Sequence, residues 1–190
     1  GPNAIRQGRV GDINVAMLMT SPPDEDGYLN LGPTSSITPT YIKYAKHIIV
    51  EINENVPVCH ASEDSRLHVS QVDCFVQGPN YPLIEVPTPP PNEVDEKIAE
   101  YVVSLVEDRS CIQLGIGAMP NAVGQLIAKS GLKDLGVHTE MLCDAFVDMA
   151  EAGCITNKFK TTDPGKMVYT FATGTKKLYD FLDGNKDCLI

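Results

Sequence analysis

Positive charge is scarce in this sequence. Its 190 residues carry 15 Lys and Arg against 25 Asp and Glu, a formal net charge of −10. That balance argues against a nucleic-acid or anionic-membrane partner, since both are recognised through basic surface. The acid is spread along the chain and not gathered in a tail, which reads as a solvated surface. Long apolar runs are missing too: nothing approaches the roughly 20 residues that span a bilayer, and no signal peptide is evident. The six cysteines, at 59, 74, 111, 143, 154 and 188, include no C-x-x-C pair and no Cys/His cluster of zinc-site spacing. No metal site is therefore expected; adjacent Cys59 and His60 make half a site at most. Reduced, mostly buried thiols of a cytoplasmic protein are the expectation. There is no internal repeat and no low-complexity tract.

What is present is a 43% hydrophobic composition, enough at this length to bury a sizeable core in one large or two small domains. Ile13–Met19 reads as a buried strand, closed by the turn signal Ser21-Pro22-Pro23-Asp24. Thr38 and Pro39 suggest an N-cap and first helical residue for a short helix to Lys46. His47–Ile52 is a second β-branched run, with weaker strands expected at Val72–Val76 and Leu83–Val86. The run Pro87-Thr88-Pro89-Pro90-Pro91 continues neither helix nor central strand and marks a domain boundary. Beyond it helix and strand alternate. Asn92 caps a helix to about Asp108, with Val94, Ile98, Val102, Leu105 and Val106 on one face. Strands follow at Cys111–Leu114, Leu135–Leu142 and Lys166–Phe171. Helices are expected from Pro120 to Lys129, over Asp144–Glu151 and over Thr175–Leu182. Alternation of this kind predicts an α/β fold with open, mainly parallel sheets flanked by helices.

The chain opens on Gly1-Pro2 without an initiator methionine and stops on the apolar Cys188-Leu189-Ile190. An internal fragment of a longer protein is the expectation.

Residues 115–120, GIGAMP, lie between a strand and a helix. Such a loop sits at the carboxyl edge of a parallel sheet, where ligands of open α/β folds bind. Gly115 and Gly117 remove side chains that would block a close approach. Pro120 suits the first helical turn, whose N–H groups have no intrahelical partner. Unpaired amides and the helix dipole together favour an anion or oxyanion. Two other readings stand beside this one. A dinucleotide fingerprint would use Gly115, Gly117 and the acid Glu140, 23 residues after Gly117, but it wants glycine where Pro120 stands. A tight βα turn with no ligand needs neither.

The order of LGIGAMPNAV, LGVHTEMLCDAFVD, AGCITNKFK and GKMVYTFATGTKKLYDF closely resembles the acetyl-CoA hydrolase/transferase group of family I CoA-transferases. The 4-hydroxybutyrate and butyrate CoA-transferases are the nearest kin. SPPDEDGYLNLG and AKHIIVEINENVP look like that family's first domain, so the resemblance runs along nearly the whole chain. It implies residues 1–87 as the C-terminal part of a first CoA-transferase domain, 88–92 as a Pro-rich linker, and 93–190 as the N-terminal part of a second.

The resemblance also implies a chemistry. Glu140 matches the glutamate that carries the reaction as a nucleophile, in ping-pong transfer through an acyl-glutamyl anhydride and a glutamyl-CoA thioester. Gly115, Ile116, Gly117, Ala118 and Met119 would line the coenzyme A site. Acyl-CoA and a short-chain carboxylate are the implied substrates, with no metal and no further cofactor, and the full-length protein is expected to be a homo-oligomer. His138 shares a strand face with Glu140 and is read as support, Met141 as core and Asp144 as a helix cap. In the first domain Asp24 is read with Ser21 and Gly27 as a turn, while Tyr28 and Asn53 are left between cleft and scaffold. Family members are longer at both ends and carry a second glycine loop, G-x-G-G, that is missing here, which puts activity of the isolated piece in doubt. An acyl-CoA hydrolase using the same glutamate and a non-catalytic nucleotide-binding module are the alternatives.

Overall fold

In a computed structural model, which describes residues 1–62 and 65–190, the β-branched runs become strands. They fall into two units: Gly1–Ile84 with Leu182–Gly184 and Ile190, and Glu85–Phe181 with Asn185–Leu189.

The first unit begins with a short helix α1 (Pro2–Arg6), followed by β1 (Ile13–Thr20), β2 (Tyr28–Asn30), α2 (Thr38–Tyr44), β3 (Ala45–Ile52), β4 (Arg66–His68) and β5 (Cys74–Gln77). β1, β3 and β5 form a parallel sheet in that order. Its β1–β3 register runs from Ile13 beside Ala45 to Thr20 beside Ile52. β2 and β4 pair antiparallel beside it. Strand alternation sends Ile48 and Val50 to one face, where they meet Leu29 and Leu67 in a core flanked by Leu18, Ile42 and Val69. The opposite face carries Val15, Met17, Met19 and Val76, all exposed. Helix α2 starts at Thr38, with Ile37 as its cap residue and no side-chain capping bond. Thr38 is thus already helical and does not cap.

The second unit holds α3 (Glu93–Val103), β6 (Cys111–Ile112), α4 (Ala118–Ser130), β7 (Gly136–Val137), β8 (Met141–Leu142), α5 (Asp144–Glu151), β9 (Met167–Val168), β10 (Phe171–Ala172), most of α6 (Lys176–Leu182), and β11 (Cys188–Leu189). The strand path 136–142 lies between β6 and the path 167–172, with β11 beyond, and every pairing is parallel. The fold is therefore α/β with mainly parallel sheets, as the alternation predicts. Leu135, Val137, Leu142, Phe146, Met149 and Tyr169 fill its core.

Asn92 caps α3 as expected: its Oδ1 accepts from the amides of Val94 and Asp95, and Asp95 reaches back to the Asn92 amide. The helix stops at Val103, short of Asp108. Its apolar stripe faces outward, with Val94, Ile98 and Val102 exposed. α3 packs on α4, yet buries only Ala99, about 100° round the helix from Ile98. The expected strand at 83–86 does not form. Within the second unit the Val86 amide bonds the Gly174 carbonyl (2.8 Å), and Glu85 Oε2 accepts from the Lys176 amide (2.8 Å). Those bonds lead to a turn and a helix start, so no ladder follows.

Of the cysteines, Cys59, Cys143, Cys154 and Cys188 are buried, while Cys74 and Cys111 are exposed.

Candidate active site

The chain leaves β6 through Gln113 and Leu114, enters the glycine loop, and turns into α4 at Ala118. Gly117 is the cap residue, at φ +121° and ψ 178°, a conformation essentially closed to residues with a Cβ. A Cβ built on Gly115 would approach nothing nearer than Pro120 Cγ, at 3.8 Å. Packing therefore does not require that glycine, and its bare backbone opens outward. α4 starts two residues before Pro120, which is still within the turn whose amides lack helical partners. Among the described residues no side chain caps α4, and no acid lies in its first turn. The Ala118 and Met119 amides thus stand at the positive end of a 13-residue helix. α4 is held close to its neighbours at Gly124, where a Cβ would fall 2.7 Å from Ala145 Cβ and 3.0 Å from Leu114 Cδ1.

Glu140 lies one strand over. Cys111 pairs with Gly136 and Ile112 with Val137, and two residues on Thr139 Oγ1 faces the Leu114 carbonyl at 3.5 Å. The loop and the acid therefore follow neighbouring parallel strands at the same, carboxyl edge. Glu140 and His138 are exposed while Thr139 and Met141 between and beyond them are buried, so the acid and the histidine share the open face. The strand read from sequence as continuous over 135–142 is interrupted here, between β7 and β8. In the interruption the Glu140 carbonyl accepts from the Thr170 amide (3.0 Å), the Phe171 amide (3.2 Å) and Thr170 Oγ1 (2.8 Å).

A cavity of about 90 Å³ opens beside the loop. Gly115, Ile116, Gly117 and Asn121 form one wall, residues 86–89 a second, and Met141, Cys143 and Thr173 the floor. Burial pushes the Cys143 thiol up from its ordinary pKa. Sequence reasoning missed residues 86–89 and Thr173 as lining. The prolines read as a spacer, and the Val86–Gly174 and Glu85–Lys176 bonds tie the segment before them to this turn.

Asp144 does not cap α5; Cys143 is the cap residue, without a side-chain bond. The Asp144 carboxylate instead accepts from the Thr175 amide (3.0 Å) and Thr175 Oγ1 (2.6 Å). That tie fixes the turn carrying Thr173. Gly174 permits it, since a Cβ there would lie 2.4 Å from Asp144 Oδ2. The signal in the sequence was the T-G-T just before a helix.

The first-unit candidates serve their own unit. Asp24 Oδ1 accepts from the amides of Tyr28 (2.7 Å) and Asp26 (3.1 Å), and its Oδ2 pairs with Arg66. The Tyr28 amide leads in holding this carboxyl below the usual range. Asn53 is buried and bonds the Asn55 amide and the Tyr81 carbonyl. Tyr28 packs against the His68 ring, with Arg66 above it at 4.0 Å. Among the described residues no group of three or more His, Cys, Asp or Glu is placed to hold a metal ion. No helix there is long and apolar enough to cross a membrane.

Comparison with known proteins agrees with the sequence resemblance. Residues 1–87 match the acetyl-CoA hydrolase/transferase N-terminal domain. The chain is 45% identical to the butyryl-CoA:acetate CoA-transferase of Anaerostipes caccae, over 95% of its own length and 41% of that protein. It is 41% identical to the 4-hydroxybutyrate coenzyme A transferase of Clostridium kluyveri, over 97% and 42%. A solved 4-hydroxybutyrate CoA-transferase of Porphyromonas gingivalis superposes with a TM-score of 0.90 at 32% identity, covering 100% of this chain and 47% of that one. The chain thus spans about two-fifths of the length of the curated relatives named here. It belongs to the acetyl-CoA hydrolase/transferase family.

Proposed function

We propose that this chain carries the coenzyme A loop and the catalytic carboxylate of an acyl-CoA:carboxylate CoA-transferase of butyrate, 4-hydroxybutyrate or acetate type. Residues 1–87 belong to its first domain, 88–92 to the linker and 93–190 to its second. The observation that supports this reading is that Glu140 and the uncapped start of α4 both follow the carboxyl ends of two paired parallel strands. A nucleophilic acid and a seat for negative charge are the two things thioester transfer to a carboxylate needs.

In the first step the Glu140 carboxylate attacks the thioester carbonyl of acyl-CoA. The C–S bond breaks, CoA leaves as thiolate, and an acyl-glutamyl anhydride remains. The thiolate then attacks the glutamyl carbonyl, the anhydride C–O bond breaks, and the acyl group departs as a free carboxylate. Glu140 now holds CoA as a thioester, and a second carboxylate runs the two steps in reverse. No proton has to move in this sequence, which agrees with His138 as support and not as base.

A carboxylate is a weak nucleophile, so two contributions must lower the barrier. Binding of the CoA body is used at the reacting centre, through the Gly115–Met119 backbone. Amides aimed at the developing oxyanion contribute about 3–4 kcal/mol each when well placed, and this reading assigns that role to the Ala118 and Met119 amides at the start of α4. The cysteines and the shortage of basic charge fit a cytoplasmic enzyme acting on small molecules, as a homo-oligomer.

The test is a full-length protein incubated with acyl-CoA and trapped with borohydride or hydroxylamine. Modification should fall on Glu140, and Glu140→Ala should lose more than about a thousandfold in turnover. Turnover that survives in Glu140→Ala removes the reading. Thioester loss that is independent of added acetate would make the enzyme a hydrolase through the same residue. Calorimetry showing NAD binding without CoA binding would make it a nucleotide module.

A further inference from the structure

Glu140 stands in the gap between β7 and β8, and Thr170 in the gap between β9 and β10. The register that bridges His138 to Val168 and pairs Met141 with Phe171 sets the two gaps side by side. A carbonyl oxygen has two lone pairs, and the amides of Thr170 and Phe171 already satisfy that of Glu140. The Thr170 hydroxyl adds a third donor, and it makes the shortest bond of the three, 2.8 Å. Thr170 is exposed, so water could serve its hydroxyl equally well and stability alone gives this bond little purpose. On the other flank the buried Thr139 donates its hydroxyl to the Met141 carbonyl at 2.9 Å, spanning Glu140 from the residue before to the residue after. The main chain of Glu140 is thus held from both sides while its side chain stays in the open.

We propose that Thr170 is a positioning residue for Glu140, acting through its hydroxyl on the Glu140 carbonyl. The inference rests on Glu140 being the nucleophile. In that reaction one carboxylate serves first as attacking oxygen and then as attacked carbonyl. Each step needs reacting atoms about 3–3.5 Å apart and aligned, and a shift of about 1 Å can cost two orders of magnitude. A side chain that swings between two partners keeps both geometries only if its Cα–Cβ bond does not move. The bond from the Thr170 hydroxyl adds a side-chain hold on that pivot to the two amide bonds.

Thr170→Val in the full-length protein keeps the branched shape and both amide bonds and removes only the hydroxyl. Turnover should fall about tenfold or more with KM for acyl-CoA within about twofold. Single-turnover formation of the glutamyl-CoA adduct should slow by the same factor, and Thr170→Ser should restore it. Thr170→Ala, which also lacks the hydroxyl, gives the same readout if the valine variant folds poorly. An adduct rate per folded molecule that equals wild type in the variants lacking the hydroxyl overturns the proposal, whatever happens to thermal stability. Glu140→Ala separates the two levels. Activity surviving there removes the catalytic reading itself, whereas activity lost there but intact in Thr170→Val removes only the role of Thr170.

Discussion

The two units build parallel sheets in opposite ways. In the first, β1 and β3 run side by side for eight residues each, and the pairing continues to Thr20 and Ile52. Where that ladder ends, the polar groups close on local backbone: Thr20 Oγ1 bonds the Ser21 carbonyl, and Asn53 bonds Asn55 and Tyr81. In the second unit the paired segments are two residues long, broken at 138–140 and 169–170. An unbroken ladder fixes every backbone group and sends side chains alternately in and out. The broken one keeps the alternation, with His138 and Glu140 outward and Thr139 and Met141 inward, but leaves the backbone beside the exposed acid to be met in part by a side chain. The first sheet keeps its ladder regular, and the second gives up regularity where chemistry is proposed.

The largest test of that contrast is in the scaffold. Leu29→Ala empties a side chain packed on Ile48, Val50 and Leu67 and should lower stability by about 2–5 kcal/mol, read by urea unfolding. Transfer activity per folded molecule should stay the same; a large fall would mean that the first sheet also shapes the site. Gly124→Val is the matching change in the second unit. Its new Cβ meets Ala145 at 2.7 Å, and overpacking should cost about 1–3 kcal/mol. Because α4 carries the glycine loop, this variant should also bind CoA more weakly, which calorimetry would register. Equal CoA affinity would show that the loop is held independently of its helix.

These two variants also mark what could be read from the chain. Glycine, proline and acid in GIGAMP and HTEM are punctuation that survives without tertiary context, and with the family resemblance they suggested the loop and the acid that are proposed as the site. The Asn92 cap was legible for the same reason, since its acceptor and donors lie within one turn. The strand break was not. Residues 135–142 read as one apolar strand, and the partner that meets Glu140 in the gap, Thr170, lies in another strand 30 residues on. Nor could the period of α3 say which face meets α4: small Ala99 allowed the close approach, and the larger apolar residues were turned outward. The lining role of Val86–Pro89 goes with bonds from Glu85 and Val86 to residues about 90 positions on and left no local trace.

A smaller effect is expected at the start of the second unit. Asn92→Ala removes the acceptor of two α3 amides and should cost about 0.5–2 kcal/mol. If α3 is only an outer layer of the site-bearing unit, the loss should appear in denaturation and not in turnover. A matching drop in turnover per folded molecule would place α3 inside the working part of the unit.

The smallest expected change concerns pH, and it separates the scaffold turn from the site. Asp24 has a carboxyl held below its ordinary range by the Tyr28 amide first, then by the Asp26 amide and Arg66. A carboxyl lowered in the folded state stabilises above its unfolded value, near 3.9, and loses that contribution as pH falls through the folded value. Asp24→Asn should therefore be less stable than wild type between about pH 5 and 7, with the difference vanishing towards about pH 2. Urea midpoints measured across that range give the comparison. The acid limb of the variant should be shallower, while turnover at neutral pH should match wild type, because this turn satisfies its own backbone. An unchanged acid limb would mean that the Tyr28 and Asp26 amides are equally well served without the charge, and that the turn is held by its Pro22-Pro23 entry and Gly27 alone.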